Sequence, residues 1–125
     1  MDLGLTLNFT SAGVIAPHRI VAATATDDQV AQGTAATDKL IGVTGPRGAE
    51  AAGKPVDVML SGVQQVTAGG AFAMGDPVTS ASDGKAVLAA PAAGANARVV
   101  GIALEAGATD ALTRVLIVPG LMQGA

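Results

Sequence analysis

Cysteine, tryptophan and tyrosine are absent from this 125-residue chain, and phenylalanine occurs only at Phe9 and Phe72. Without cysteine there can be no disulfide and no thiolate metal site, and cysteine usage leaves the compartment open. Two aromatics are too few to stack sugar rings or nucleic-acid bases. Seven Lys and Arg face ten Asp and Glu, a net charge of −3, and the charges are scattered, so no basic stripe awaits a nucleic acid. His18 is the only histidine, so any Ser-His-Asp arrangement would have to use it. It stands between Pro17 and Arg19, where an exposed polar residue is the plain expectation. A metal site would need partners at helical or hairpin spacing, and none is evident. The one adjacent carboxylate pair, Asp27-Asp28, falls in a turn, where Asp caps backbone donors. These absences point away from an enzyme, and no cofactor is expected.

Long hydrophobic runs are missing too. The uncharged stretch from Val58 to Gly75 is broken by Gln64, Gln65 and glycines, so it is not a membrane span and no membrane partner is expected. Met1-Asp2 opens without the basic region of a secretory leader.

What the chain does have is small and apolar. Half its residues are hydrophobic, but 27 of these are Ala against 14 Val, 10 Leu and 5 Ile. Each buried Val, Leu or Ile supplies roughly 1.5–3 kcal/mol. Ordering the backbone costs about 1–2 kcal/mol per residue. A core this thin favours further burial against a partner or by self-association. Ala favours helix, yet 17 Gly and 6 Pro punctuate the whole length, and no long apolar stripe of helical period survives between them. Short Val-rich runs between Gly, Pro and Asp read as strands joined by tight turns.

Along the chain, Leu3, Leu5, Leu7 and Phe9 alternate with Gly4, Thr6 and Asn8, the period of a half-buried strand. Ser11-Ala12-Gly13 ends it. Further strands are expected at 19–25, 40–44, 56–60 and 63–68, with Asp57 facing outward. A short extended piece follows at 76–79. The hairpin signal Ser82-Asp83-Gly84-Lys85 leads to a return strand at 86–89. Two last strands are expected at 98–105 and 112–118, with Pro119-Gly120 as the stop.

The two halves resemble each other. Leu40-Ile41-Gly42-Val43 matches Val99-Val100-Gly101-Ile102, and Val56-Asp57-Val58-Met59-Leu60 matches Thr113-Arg114-Val115-Leu116-Ile117. Arg19-Ile20-Val21 stands in the same relation to Pro77-Val78-Thr79. A Gly inside each matching strand implies close backbone approach or a bulge in a curved sheet. The fold class is therefore all-β: a small β-barrel or β-sandwich with an internal duplication and an extended N-terminal segment.

Two motifs fail on context. Gly48-Ala49-Glu50-Ala51-Ala52-Gly53-Lys54 has the spacing of a phosphate-binding loop, but that motif continues with Ser or Thr and then a helix. Here Pro55 follows, and then a strand. Gly42 to Glu50 also forms three Gly-x-y triplets, far too short a run for a collagen helix.

The order of phrases resembles the capsid cement (head decoration) proteins of tailed bacteriophages. The resemblance rests on Gly75-Asp76-Pro77-Val78-Thr79, Ser82 to Val87, Arg98 to Glu105 and Thr113 to Val118. Leu40 to Val43, Val56 to Val58 and Leu60 to Val63 fit the family's first half, so that residues 17–119 are covered. The resemblance implies a compact β module on the outer surface of a virion, often a homotrimer. It would be assembled in the host cytoplasm and would fasten subunits of the major capsid protein. On this reading residues 17–125 form the β domain and residues 1–16 an N-terminal arm or first strand. Leu3, Leu5, Leu7 and Phe9 are the candidate partner-binding residues. They would either add to a neighbour's sheet edge or form the first strand of their own barrel. The alternative from another class is a carbohydrate- or surface-binding β module of a phage or cell-envelope assembly.

Overall fold

The computed structural model describes residues 4–124, and these contain ten strands and no helix. The first five are β1 (Thr6–Ser11), β2 (Ile20–Ala23), β3 (Gln29–Gln32), β4 (Leu40–Thr44) and β5 (Pro55–Met59). They close into a barrel in the order β1-β3-β2-β4-β5, with β1 and β3 parallel and the other pairs antiparallel. The remaining five are β6 (Gly62–Thr67), β7 (Pro77–Ser80), β8 (Ala86–Leu88), β9 (Asn96–Ala103) and β10 (Leu112–Gln123). They form a sheet in the order β6-β10-β9-β7-β8, and a single parallel bridge between Ala68 and Ala86 draws its two ends together.

Strand for strand, the second unit repeats the first: β6 corresponds to β1, β7 to β2, β8 to β3, β9 to β4 and β10 to β5. The hydrogen bonds repeat as well. Ser11 N–H donates to Lys54 C=O and Gly53 N–H to Ser11 C=O, as Ala68 N–H donates to Ala111 C=O and Asp110 N–H to Ala68 C=O. The lone antiparallel bridge Ile15–Ala49 has its counterpart in Phe72–Gly107. The left-handed backbone of His18, Asp28 and Gly53 recurs at Gly75, Gly84 and Asp110.

The shared strand glycines have a steric cause. A Cβ on Gly42 would fall on the carbonyl oxygen of Met59, and one on Gly101 would fall on that of Leu116. Met59 and Leu116 are the corresponding residues of β5 and β10. In both units the strand passes its neighbour too closely for any side chain on that side.

Packing joins the units. Ile15, Val21, Val30, Ala49, Val56 and Val58 fill the first barrel, with Phe9, Ile41 and Leu60 against them. The larger cluster spans both units: Ile20, Leu40 and Val43 of the first pack with Val66, Phe72, Val78, Val100, Val115 and Ile117 of the second. Backbone bonds from Ile20 N–H to Gly84 C=O (2.8 Å) and from Thr67 N–H to His18 C=O (2.9 Å) cross the junction.

Two expectations need correction. Gln29–Gln32 is a strand that the sequence reading passed over, and it supplies the parallel rung that closes the first barrel. Pro119-Gly120 does not stop β10. The strand absorbs the proline in a bulge between Ile117 and Gly120 and runs on to Gln123 beside β9.

Candidate functional site

The residues that tempt a catalytic reading are structural in their placement. Gly48 to Lys54 connects β4 to β5, and Pro55 opens a strand where a phosphate-binding loop would need a helix. Asp27-Asp28 turns the chain between β2 and β3, and Asp28 C=O accepts the N–H of Thr10 (2.8 Å). His18 is half-buried at the junction of the units, its N–H donating to Gly45 C=O (3.1 Å) and its Nδ1 lying 3.3 Å from Gln65 C=O. Among the described residues no three His, Asp or Glu side chains are grouped as metal ligands.

The ion pairs sit at the surface of the second unit. Lys85 Nζ bonds Asp110 Oδ1 at 2.5 Å, which raises the Lys85 pKa and lowers that of Asp110. Glu105 Oε2 accepts the backbone N–H of Arg114 at 2.7 Å and lies 3.4 Å from its Nε. The backbone bond first, and then the guanidinium charge, lower the Glu105 pKa. These groups pin turns to strands and are satisfied by one another.

What remains is surface. Leu3 lies outside the described residues. Leu5, Leu7 and Phe9 lie on or beside β1, which runs antiparallel to β5 with Leu7 opposite Val58 and Phe9 opposite Val56. Phe9 packs on the core of the first barrel, whereas Leu7 and Leu5 are 46% and 54% exposed. The segment is tied at its start by Leu5 N–H to Ser61 Oγ and Leu60 N–H to Leu5 C=O, both 2.8 Å. Within one chain, then, the strand completes its own barrel and leaves an apolar rim at the open end.

The same corner gains residues that sequence reasoning missed. Gly62 follows Ser61 and pairs with Ile117 of β10. Beyond Ile117, β10 has β9 on one side and no β6 on the other, and its Val118 and Leu121 are 50% and 65% exposed. Leu121-Met122 after Gly120 was the available signal, overridden by reading Pro-Gly as a stop. Arg98 N–H, opposite Leu121, donates away from β10 to Ala36 C=O (2.7 Å). In an antiparallel ladder both members of such a pair turn outward, so Leu121 turns its N–H and C=O to an edge that no strand among the described residues covers. Such an edge accepts an added strand. Of the two phenylalanines one is half-buried and the other buried, so neither offers the flat exposed platform that a sugar-binding face uses.

Comparison with known proteins gives two likenesses. Residues 3–118 match the family model described as phage cement protein. No curated protein matches the chain. Among solved structures, the N base of the head fiber protein gp8.5 of bacteriophage phi29 is similar, with a TM-score of 0.66 over 93% of this chain and 95% of that chain. Sequence identity there is 20%, so this likeness is one of fold.

Proposed function

The chain belongs to the phage cement protein family, and from that premise we propose how it carries out its capsid decoration role. It binds the outer surface of the head as a homotrimer, assembled in the host cytoplasm, and bridges neighbouring subunits of the major capsid protein. The observation that carries this reading is the family match, which spans nearly the whole chain. A family of structural head proteins also supports a role without catalysis.

The physical mechanism is linkage. A ligand that binds assembled subunits and not separated ones stabilises the assembly by mass action. Many identical contacts on one shell then add through multivalency. The apolar rim at Leu5 and Leu7, continued through Val118 and Leu121, provides the area for such contacts. Phe9 of β1 and Leu3, which precedes that strand in the sequence, complete the set of N-terminal residues proposed to meet the partner. Because β1 is needed to close its own barrel, the contact runs through its exposed side chains and the neighbouring β10 edge.

Electron microscopy of heads lacking this protein, mixed with the purified chain, tests the proposal. Ordered density on the outer surface, repeated at local three-fold positions, is the expected result. Bare heads at saturating protein would overturn it.

A further inference from the structure

The duplication serves as an internal control for the contact between the units. In the first unit the strand pairings align one row, Ile20–Val43–Met59–Thr6, across β2, β4, β5 and β1. In the second unit the same pairings align Pro77–Ile102–Leu116–Val63 across β7, β9, β10 and β6. On the first unit this row docks inside the chain. Ile20 and Val43, with Leu40 beside them, are buried against the interior cluster of the second unit, and Met59 packs on the same cluster. No further unit follows among the described residues to cover the equivalent row. Ile102, the counterpart of Val43, is 39% exposed, and Pro77, Val99 and Leu116 are half-buried.

The receiving side shows the reverse contrast. In the second unit the interior positions Gln64, Val66, Val100 and Ile117 are all buried. By pairing and sequence their counterparts in the first unit are Leu7, Phe9, Ile41 and Leu60. Leu7 is 46% exposed and the other three are half-buried. Phe9, Ile41 and Leu60 pack on the core of the first barrel, and Leu7, two residues before Phe9, shares its side of β1. In stacked units the last outer face is polar when nothing follows it. Here the last outer face and the first open end are both apolar.

We propose that the outer row of the second unit in one copy docks on the open end of the first unit in the next copy, repeating the junction inside the chain. The two surfaces differ, so the contact is head-to-tail, and such contacts close into a ring or run on as a filament. Closure at three copies rests on the homotrimer reading above. The backbone bonds of the internal junction are not carried over. Ile20 N–H donates to Gly84 C=O, but its counterpart Pro77 has no N–H. Thr67 N–H donates to His18 C=O, but its counterpart Thr10 already donates to Asp28 C=O. The contact between copies is therefore made by side chains and is weaker than the internal one. Leu7 serves the neighbouring copy, while Leu5, Val118 and Leu121 remain for the shell.

Sedimentation velocity on the free chain tests this, with Ile102→Glu in the outer row, Leu7→Glu at the open end and Val14→Glu as control. Val14 is exposed, and so is its counterpart Ala71 although the interior of the second unit is covered, so this position lies outside the junction. Wild type and Val14→Glu should sediment as trimers. In the other two a carboxylate buried without a partner should weaken association at least about tenfold, leaving monomers that keep the wild-type circular dichroism. Mixed in equal amounts at high concentration, Ile102→Glu and Leu7→Glu should form a one-to-one dimer, because each retains the surface the other has lost. Trimers from either single variant overturn the inference and leave the homotrimer reading standing. Two folded monomeric variants that do not pair when mixed do the same. A wild type that stays monomeric at every concentration overturns the homotrimer reading, and the inference with it.

Discussion

Replacing Gly101 with Ala should be among the costliest single-methyl additions in this molecule. The new Cβ would fall on the Leu116 carbonyl oxygen and lie 3.0 Å from Val115 Cγ1. The first obstacle is backbone, which cannot rotate away, so β9 and β10 must move apart by about an ångström or more against a normal strand spacing of about 4.8 Å. On the other side β9 is held by β7 through Val78–Gly101. Overpacking a well-filled site costs roughly 1–3 kcal/mol, and a clash against a two-sided strand belongs at the top of that range. At this chain length each kcal/mol moves the melting temperature by about 4 °C, so a drop of about 12 °C is expected. Gly13→Ala is the control. Nothing lies within 4 Å of its added Cβ, and its backbone is not left-handed. It should be neutral or gain up to about 1 kcal/mol from a stiffer unfolded chain. Thermal and urea unfolding of the three proteins make the comparison. A Gly101→Ala variant melting within 2 °C of wild type would refute the steric account of the paired glycines.

Two further expectations follow from the surface. Glu105 has a lowered pKa in the folded state, so its contribution is present above its unfolded pKa and lost as pH falls through the folded one. Glu105→Gln should therefore flatten the acid limb of a stability–pH curve and leave the alkaline limb alone. The Lys85–Asp110 pair acts at both ends: Asp110, lowered, loses its contribution on the acid side, and Lys85, raised, loses its own as pH climbs through the folded Lys85 value. Asp110→Asn should therefore lower the stability plateau and flatten both limbs, read from urea titrations at fixed pH values. Finally, a combined Leu5→Ser, Leu7→Ser variant should fold, because both side chains are about half exposed, while its occupancy on heads falls several-fold. Full occupancy by that variant would remove the rim from the contact surface.

Much of the fold was legible because strands buried on alternate residues write their period into the chain. The strand around Val56 and Val58, with Asp57 outward between them, is one so read, and the matching phrases around Gly42 and Gly101 exposed the duplication. Gln29–Gln32 was not legible. Only Val30 of its four residues is buried, and its place is earned by a parallel rung to β1 that no local pattern encodes. The overshoot of β10 was hidden because Pro119 ends most strands, and only the bulge reconciles it with β9. At the candidate site, the alternation of Leu5 and Leu7 was visible, but not that their strand closes its own barrel.

The shared cluster between the units sets how this molecule fails. Ile20, Leu40 and Val43 belong to the first barrel yet are buried among residues of the second. Opening either unit alone would uncover the apolar wall of the other along with unpaired strand edges, the surfaces from which sheet aggregation begins. A duplicated chain built as two beads on a string would melt in two steps and spend time half open. The shared cluster predicts instead that this one unfolds as a single cooperative body, so that under heat each copy is either whole or gone.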